Sequence, residues 1–259
     1  MRNEEIENYM KTHANNYPTL FMSITSSTLN FDKKNYVINP YGMINSPRKE
    51  KDGIVLFGTS KSNKIINDFS FPLEYSEVKE GDEFPNFSIY FNVQDESYYI
   101  KDFNTGLGAL MKISSFPITE NTLINVGSNY LVISFEQPLL TVKIFNAAIL
   151  QDKIDGMTQE KFKTVEIKVG EEDQSITIGR SQKCNIMIED MMLSKIQCRI
   201  EYKGKTKELI LVDGDGYKES TNGTWVYILN PAKIHNNFLF KAEHTLFLIS
   251  LSKNADSSN

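Results

Sequence analysis

Three polar side chains in the second half of the chain have the chemistry needed to bind a phosphate ester. Arg180 follows a glycine at the end of an apolar stretch, and its guanidinium presents several donors in a planar fork that suits phosphate. Ser194 adds a neutral hydroxyl donor. Asn222 lies in a Thr-Asn-Gly turn, where its amide can bond its own loop and a peptide backbone. A second interpretation stays open, in which Arg180 caps a loop carbonyl and Asn222-Gly223 is a hairpin turn.

A scaffold must bring these distant residues together, and the sequence predicts one made of β-strands. Short stretches of β-branched, aromatic and alternating residues recur between polar turns, as at residues 20–24, 87–91, 131–135 and 225–229. Many short strands separated by turns favour β-sandwiches, and the loops at one end of a sandwich can converge on one ligand. One short helix is predicted over residues 4–11.

The strand pattern occurs twice along the chain. Residues 18–24 correspond to 138–144, and residues 55–60 correspond to 176–181, with an offset of about 120 residues in each case. Chance likeness between β-rich segments is the alternative explanation. We predict two copies of one sandwich, preceded by an N-terminal extension and followed by a disordered tail. The predicted boundaries are 1–16 for the extension, 17–136 and 137–252 for the sandwiches, and 253–259 for the tail.

The order of motifs in the second copy resembles the forkhead-associated (FHA) domain family over residues 138–251. The chain has Gly-Arg-Ser after a strand at 179–181, Ser-Lys at 194–195, and Thr-Asn-Gly-Thr at 221–224 before an apolar strand. The resemblance implies an all-β fold of two tandem FHA-like (SMAD/FHA-type) sandwiches. It implies that Arg180 and Ser194 hold a phosphothreonine, and that Asn222 grips the peptide backbone. The other residues it assigns are Ser181, Lys195 and Thr221 beside the phosphate, and Gly179, Gly223 and Thr224 as architectural positions.

Two departures from the family pattern occur in the second copy. Gln197 stands where the family has a histidine that supports the binding loops, and Gln197 can still donate and accept hydrogen bonds. The loop before Asn222 is long and acidic, with Asp213, Asp215 and Glu219, and acidic groups near the site would oppose a phosphate.

The first copy departs further from the family pattern. Thr59 takes the place of the arginine, no Ser-x-x-His follows Asp68, and the segment at 104–109 lacks Asn-Gly-Thr. Without the arginine there is no charge-assisted anchor for phosphate. We therefore expect a degenerate copy that packs or scaffolds.

Composition argues against several classes of function. The formal net charge is −5 and no basic stripe is present, so nucleic acid is not an expected partner. No apolar run reaches the length of a membrane span, and no signal peptide is recognisable, so we expect an intracellular protein without membrane attachment. The two cysteines form no framework and the three histidines are scattered, so no metal or other cofactor is expected.

Two functional hypotheses follow from these observations. The first is a non-catalytic interaction module that recognises a Thr-phosphorylated partner protein. The second is a structural subunit or scaffold of a large assembly, for example a ciliary or cytoskeletal one, with phosphate-independent docking. Both place the protein in a larger complex. A cytoplasmic location is expected, and cytoskeletal, ciliary and nuclear sites remain open.

Overall fold

A computed structural model describes residues 17–59, 66–72, 85–105, 108–119, 121–146 and 162–252. Every helix or strand element in these residues is a β-strand, which confirms the all-β prediction. The helix predicted over 4–11 and the tail predicted over 253–259 lie outside the described residues. Within the described part of the chain, no helix is long and apolar enough to cross a membrane.

The strands are numbered in chain order. They are β1 (Leu20–Ser27), β2 (Asn35–Asn39), β3 (Gly42–Met43), β4 (Ile54–Gly58), β5 (Phe69–Ser70), β6 (Phe87–Asn92), β7 (Ser97–Asp102), β8 (Leu110–Ile113), β9 (Ser115–Pro117), β10 (Thr122–Val126), β11 (Asn129–Glu136), β12 (Leu139–Asn146), β13 (Lys163–Lys168), β14 (Gln174–Gly179), β15 (Ile186–Met187), β16 (Cys198–Lys203), β17 (Glu208–Asp213), β18 (Thr224–Tyr227), β19 (Ala232–Lys233), β20 (Phe238–Ala242) and β21 (Thr245–Leu251).

The chain divides into two compact units. Unit 1 takes Met1–Met111 and Ile228–Asn259, and unit 2 takes Lys112–Tyr227. In unit 2 the strands run β13-β12-β11-β10-β18 in one sheet and β15-β14-β16-β17-β9 in the other. In unit 1 they run β8-β20-β21-β1-β2-β3 and β19-β7-β6-β4-β5. The pairings correspond closely: β4 pairs in parallel with β5 as β14 does with β15, and β4-β6-β7 repeats β14-β16-β17.

Alternating side chains build the core of each unit. In β16, Cys198, Ile200 and Tyr202 are buried while the residues between them are half-buried, as expected for a strand with one face on a core. Tyr202 contacts Phe135 of β11 edge to face at 5.8 Å, which joins the two sheets of unit 2. Unit 1 has a phenylalanine-rich core, in which Phe57 stacks on Phe87 with ring centroids 4.6 Å apart.

The compact units do not coincide with the predicted domains 17–136 and 137–252. Strands β9, β10 and β11 come from the first copy but pair with strands of the second, at β17, β18 and β12. Strands β19, β20 and β21 make the reciprocal pairings with β7, β8 and β1. The last three strands of residues 17–136 therefore pair within unit 2, and the last three strands of residues 137–252 pair within unit 1. A local cause is the connection at Gln137-Pro138, because Glu136 pairs with Leu139 and the two strands form a hairpin with a two-residue turn.

Candidate functional site

Three connections of unit 2 carry the residues implicated by the sequence: β14–β15, β15–β16 and β17–β18. Backbone hydrogen bonds join the first two, from Arg180 N to Ser194 O (3.2 Å) and from Ser181 N to Lys195 O (3.1 Å). The Ser194 hydroxyl joins the second to the third, because it accepts from Thr221 N at 3.0 Å and donates to Thr221 Oγ1 at 3.3 Å. The structure thus brings Arg180, Ser194 and Thr221 together.

Gly179 allows this close approach at the end of β14. A Cβ atom at this position would lie 2.4 Å from the Lys195 carbonyl oxygen and 2.9 Å from the Ile196 Cα. Both contacts are with backbone, which cannot rotate away as a flexible side chain can. The architectural role that the family resemblance implies for Gly179 has this physical basis.

The Arg180 side chain is exposed, and its guanidinium has no hydrogen bond or ion pair with any described residue. Within the described part of the chain it therefore caps no loop carbonyl. Lys195, beside Ser194, is also exposed, and its ammonium has no such partner in the same residues. Two exposed cationic residues thus adjoin Ser194, Arg180 through its backbone hydrogen bond and Lys195 as the next residue, and neither is paired with a described carboxylate, which favours an anionic ligand.

Gln197 connects the loops from inside unit 2. Its side chain is fully buried, and its Oε1 accepts a hydrogen bond from Ser194 N at 3.0 Å. Its Nε2 donates to Ser220 Oγ at 2.7 Å and to Gly223 O at 2.9 Å. One amide thus supports the Ser194 loop and the Asn222 loop together. Gln197 occupies a loop-supporting position like the one that the family gives to a histidine.

Asn222 lies on the β17–β18 connection, and its side chain contacts the β15–β16 connection. Its Nδ2 donates to Met192 O at 2.7 Å, and its backbone carbonyl accepts from the Trp225 indole at 3.0 Å. The strands on either side of this connection, β17 and β18, belong to different sheets. Asn222-Gly223 is therefore not a hairpin turn. Gly223 has a φ of +74°, a backbone conformation that favours glycine.

The three acidic residues at the long loop all have hydrogen-bond or ion-pair partners within unit 2. The buried Asp213 carboxylate accepts from Ser220 N, Ser220 Oγ and Thr224 Oγ1 at 2.6–3.0 Å. Asp215 accepts from two backbone N–H groups of its own loop, which lower the pKa of that carboxyl. Glu219 bonds Lys112 at 3.0 Å, and this hydrogen bond with the lysine charge lowers the pKa of Glu219. The ion pair with Lys112 offsets the charge of Glu219, whereas the donors to Asp213 and Asp215 are neutral and bring no positive charge.

In unit 1, the position that corresponds to Arg180 carries no positive charge. Thr59 follows Gly58 at the end of β4, as Arg180 follows Gly179 at the end of β14. Asp68 is buried and forms an ion pair with the buried Arg48 at 2.9 Å. Arg48 also forms a bidentate pair with Asp52. Burial alone would raise the pKa of Asp52, but the hydrogen bond and charge of Arg48 outweigh burial and lower it.

Sequence reasoning missed two groups of residues that hold the loops of unit 2. Lys112 bonds Glu219, and Ser128 with Asn129 holds Asp190. No local motif marks them, because each lies more than 60 residues from its partner, Glu219 or Asp190. No group of three or more histidine, cysteine or acidic side chains among the described residues could hold a metal ion.

Residues 176–242 match the family model of the FHA domain. The match begins in β14, ends with β20 and includes the loops that carry Arg180, Ser194 and Asn222. The protein therefore contains an FHA domain, as the resemblance implied. Domains of this family are in general phosphopeptide-binding modules of protein interaction rather than catalytic domains. No curated protein and no solved structure matches the chain.

Proposed function

We propose that unit 2 binds a phosphothreonine-containing segment of a partner protein, with Arg180 and Ser194 holding the phosphate. The observation that carries the proposal is the exposed Arg180 side chain, whose guanidinium has no partner among the described residues, on a backbone that bonds Ser194 O at 3.2 Å. Guanidinium–phosphate bonds are charge-assisted and geometrically specific. Lys195 supplies a second positive charge at the same loop cluster.

Asn222 suits the role of a clamp for the peptide backbone. One of its amide hydrogens is used on Met192 O, which fixes the side chain between two loops. Its second N–H and its side-chain oxygen bond no other described residue, so one donor and one acceptor are available. A peptide backbone offers the complementary pair. Preference for phosphothreonine over phosphoserine rests on the family resemblance.

Fluorescence anisotropy with the full chain tests this proposal. Phosphothreonine peptides selected from a degenerate library are compared with the same peptides carrying phosphoserine or unmodified threonine. A hydrogen bond to a charged group contributes about 1.5–3 kcal/mol, so Arg180→Ala should weaken binding roughly tenfold to a hundredfold. Arg180→Lys should recover part of the affinity, since an ammonium lacks the planar fork. Lys168→Ala, which removes an exposed charge from β13, is the matched control.

The same experiment separates the two candidate functions. Asn222→Ala should weaken phosphorylated and unmodified peptides alike, because its contacts are with backbone. If Arg180→Ala binds the partner as tightly as the Lys168→Ala control, and phosphatase treatment of the partner has no effect, the phosphopeptide proposal is wrong. Phosphate-independent docking within a scaffold would then describe the protein better.

We propose that unit 1 is a degenerate copy without phosphate binding. Thr59 supplies no charge, and Arg48 is buried in its ion pairs with Asp68 and Asp52. Introducing Thr59→Arg should therefore confer no phosphopeptide binding on a chain that carries Arg180→Ala. A micromolar affinity gained by that double variant, equivalent to about −8 kcal/mol, would contradict this assignment.

A further inference from the structure

The turn that precedes Ser194 is held by residues of the first copy. Asp190 Oδ2 accepts from Ser128 N at 2.8 Å and from Asn129 Nδ2 at 2.9 Å. Its other carboxylate oxygen accepts from Met192 N at 2.8 Å. Met192 O in turn accepts a hydrogen bond from the Asn222 amide. Asp190 therefore helps to position Asn222, the residue that would bind the peptide backbone. Asn129 is almost fully buried, so this link is fixed inside unit 2.

The loop that precedes Asn222 is held by a second pair of first-copy residues. Lys112 Nζ bonds Glu219 Oε2 at 3.0 Å, and Ser114 Oγ lies 3.4 Å from Glu219 Oε1. The aliphatic part of Lys112 covers Gly223, where an added Cβ would lie 2.9 Å from Lys112 Cε. Ser114 O also accepts from Asp213 N at 2.9 Å, at the start of the same loop.

We propose that the ligand-binding unit is composite: the first copy completes it, and Lys112 and Asn129 are positioning residues for the Asn222 and Ser194 loops. The proposal rests on the proposed function for its ligand. It goes beyond that function because neither residue lies in the segment matched by the family model, and both come from the copy that lacks the phosphate-binding motif. The two copies would then work as one binding module.

Charge reversal at the Lys112–Glu219 pair tests the proposal in the full chain. Lys112→Glu places two carboxylates side by side and should weaken binding of a phosphothreonine peptide about threefold to fivefold, in line with the upper range for exposed ion pairs. The double variant Lys112→Glu with Glu219→Lys should return the affinity to within about twofold of wild type. Lys203→Glu is the matched control, because Lys203 pairs with Asp173 at 3.2 Å elsewhere in unit 2.

A second measurement follows the loops without a ligand. Asn129→Asp replaces a donor to Asp190 with a carboxylate, so the amides of Met192 and Ser194 should exchange hydrogen at least tenfold faster. Lys203→Glu should leave those rates unchanged. If both Lys112→Glu and Asn129→Asp match the Lys203→Glu control in affinity and exchange, the composite unit is refuted. If the wild type binds no phosphopeptide while exchange at these amides still accelerates, the proposed function fails and the composite loop support stands.

Discussion

Replacing Gln197 should show how much the buried side-chain amide contributes to the free energy of unfolding of unit 2. In Gln197→Ala, Gly223 O and Ser194 N lose their hydrogen bonds to the side chain. A buried group left unpaired costs about 1–3 kcal/mol, and loss of one buried methylene costs about 0.8 kcal/mol. Ser194 is half-buried, so water can replace its bond in part. We expect a loss of about 2–4 kcal/mol in the free energy of unfolding of unit 2.

Urea unfolding followed by tryptophan fluorescence is the direct assay. The chain has one tryptophan, Trp225, whose indole bonds the Asn222 carbonyl, so its emission reports on this part of unit 2. With an m-value of about 1–3 kcal/mol per molar urea, the expected loss moves the midpoint by roughly 1 M or more. Gln197→Met keeps most of the volume and isolates the hydrogen-bonding part of the loss.

The variant Gln197→His restores the residue type of the family. A neutral imidazole offers one donor and one acceptor, so it can keep the Ser194 bond and one of the two donated bonds. We expect a loss of about 1 kcal/mol, for one hydrogen bond, with phosphopeptide binding retained. The reasoning is refuted if Gln197→Ala lies within about 1 kcal/mol of wild type, or if the histidine variant is less stable than the alanine variant.

Two further predictions concern unit 1. Arg48→Ala removes the cation that pairs with the buried Asp68 carboxylate, so it should lower the free energy of unfolding by about 3–5 kcal/mol. Urea unfolding followed by circular dichroism measures this loss. The control Lys49→Ala, at an exposed neighbouring position, should stay within about 0.5 kcal/mol of wild type. Burial lowers the pKa of Lys241 to about 8, so between pH 8 and about 10.4 the unfolded state binds more protons and stability rises with pH. The rise should reach about 3 kcal/mol and be absent in Lys241→Met; equal pH profiles for the two proteins would contradict it.

The strands and the proposed phosphate-binding residues could be predicted from the sequence because their signals are local. Alternation at 131–135 predicts a strand, and β11 spans Asn129–Glu136 with alternate residues buried. Arg180, Ser194 and Asn222 are found because a glycine, a hydroxyl and a turn mark them individually. The motif order then places them on loops that the structure brings together.

The partners of each strand were not accessible in the same way. Alternation reports which face of a strand is buried and gives no information about which strand lies beside it. The exchange of β9–β11 with β19–β21 therefore could not be predicted from the alternation of apolar and polar residues along these strands. For the same reason, Lys112 and Asn129 are ordinary polar residues until their partners Glu219 and Asp190 are known.

Two features favour the exchanged pairing of strands: the short turn between β11 and β12, and the side-chain contacts made by Lys112 and Asn129. An insertion in the turn can separate their effects. A two-residue turn at Gln137-Pro138 makes β11 and β12 antiparallel neighbours, whereas contiguous copies would pair β11 with β1 and β12 with β21. Twelve glycine and serine residues inserted between Gln137 and Pro138 span up to about 40 Å and remove that constraint.

We expect the exchanged pairing to persist in the insertion variant, because the Lys112–Glu219 and Asn129–Asp190 contacts also hold Lys112 and β11 in unit 2. The longer loop should cost about 1–2 kcal/mol of closure entropy in urea unfolding. Lys112→Glu should still weaken peptide binding in the insertion background, and Lys203→Glu should not. If Lys112→Glu has no effect there, the short turn alone enforces the exchange, and the two copies separate into contiguous domains once it is lengthened.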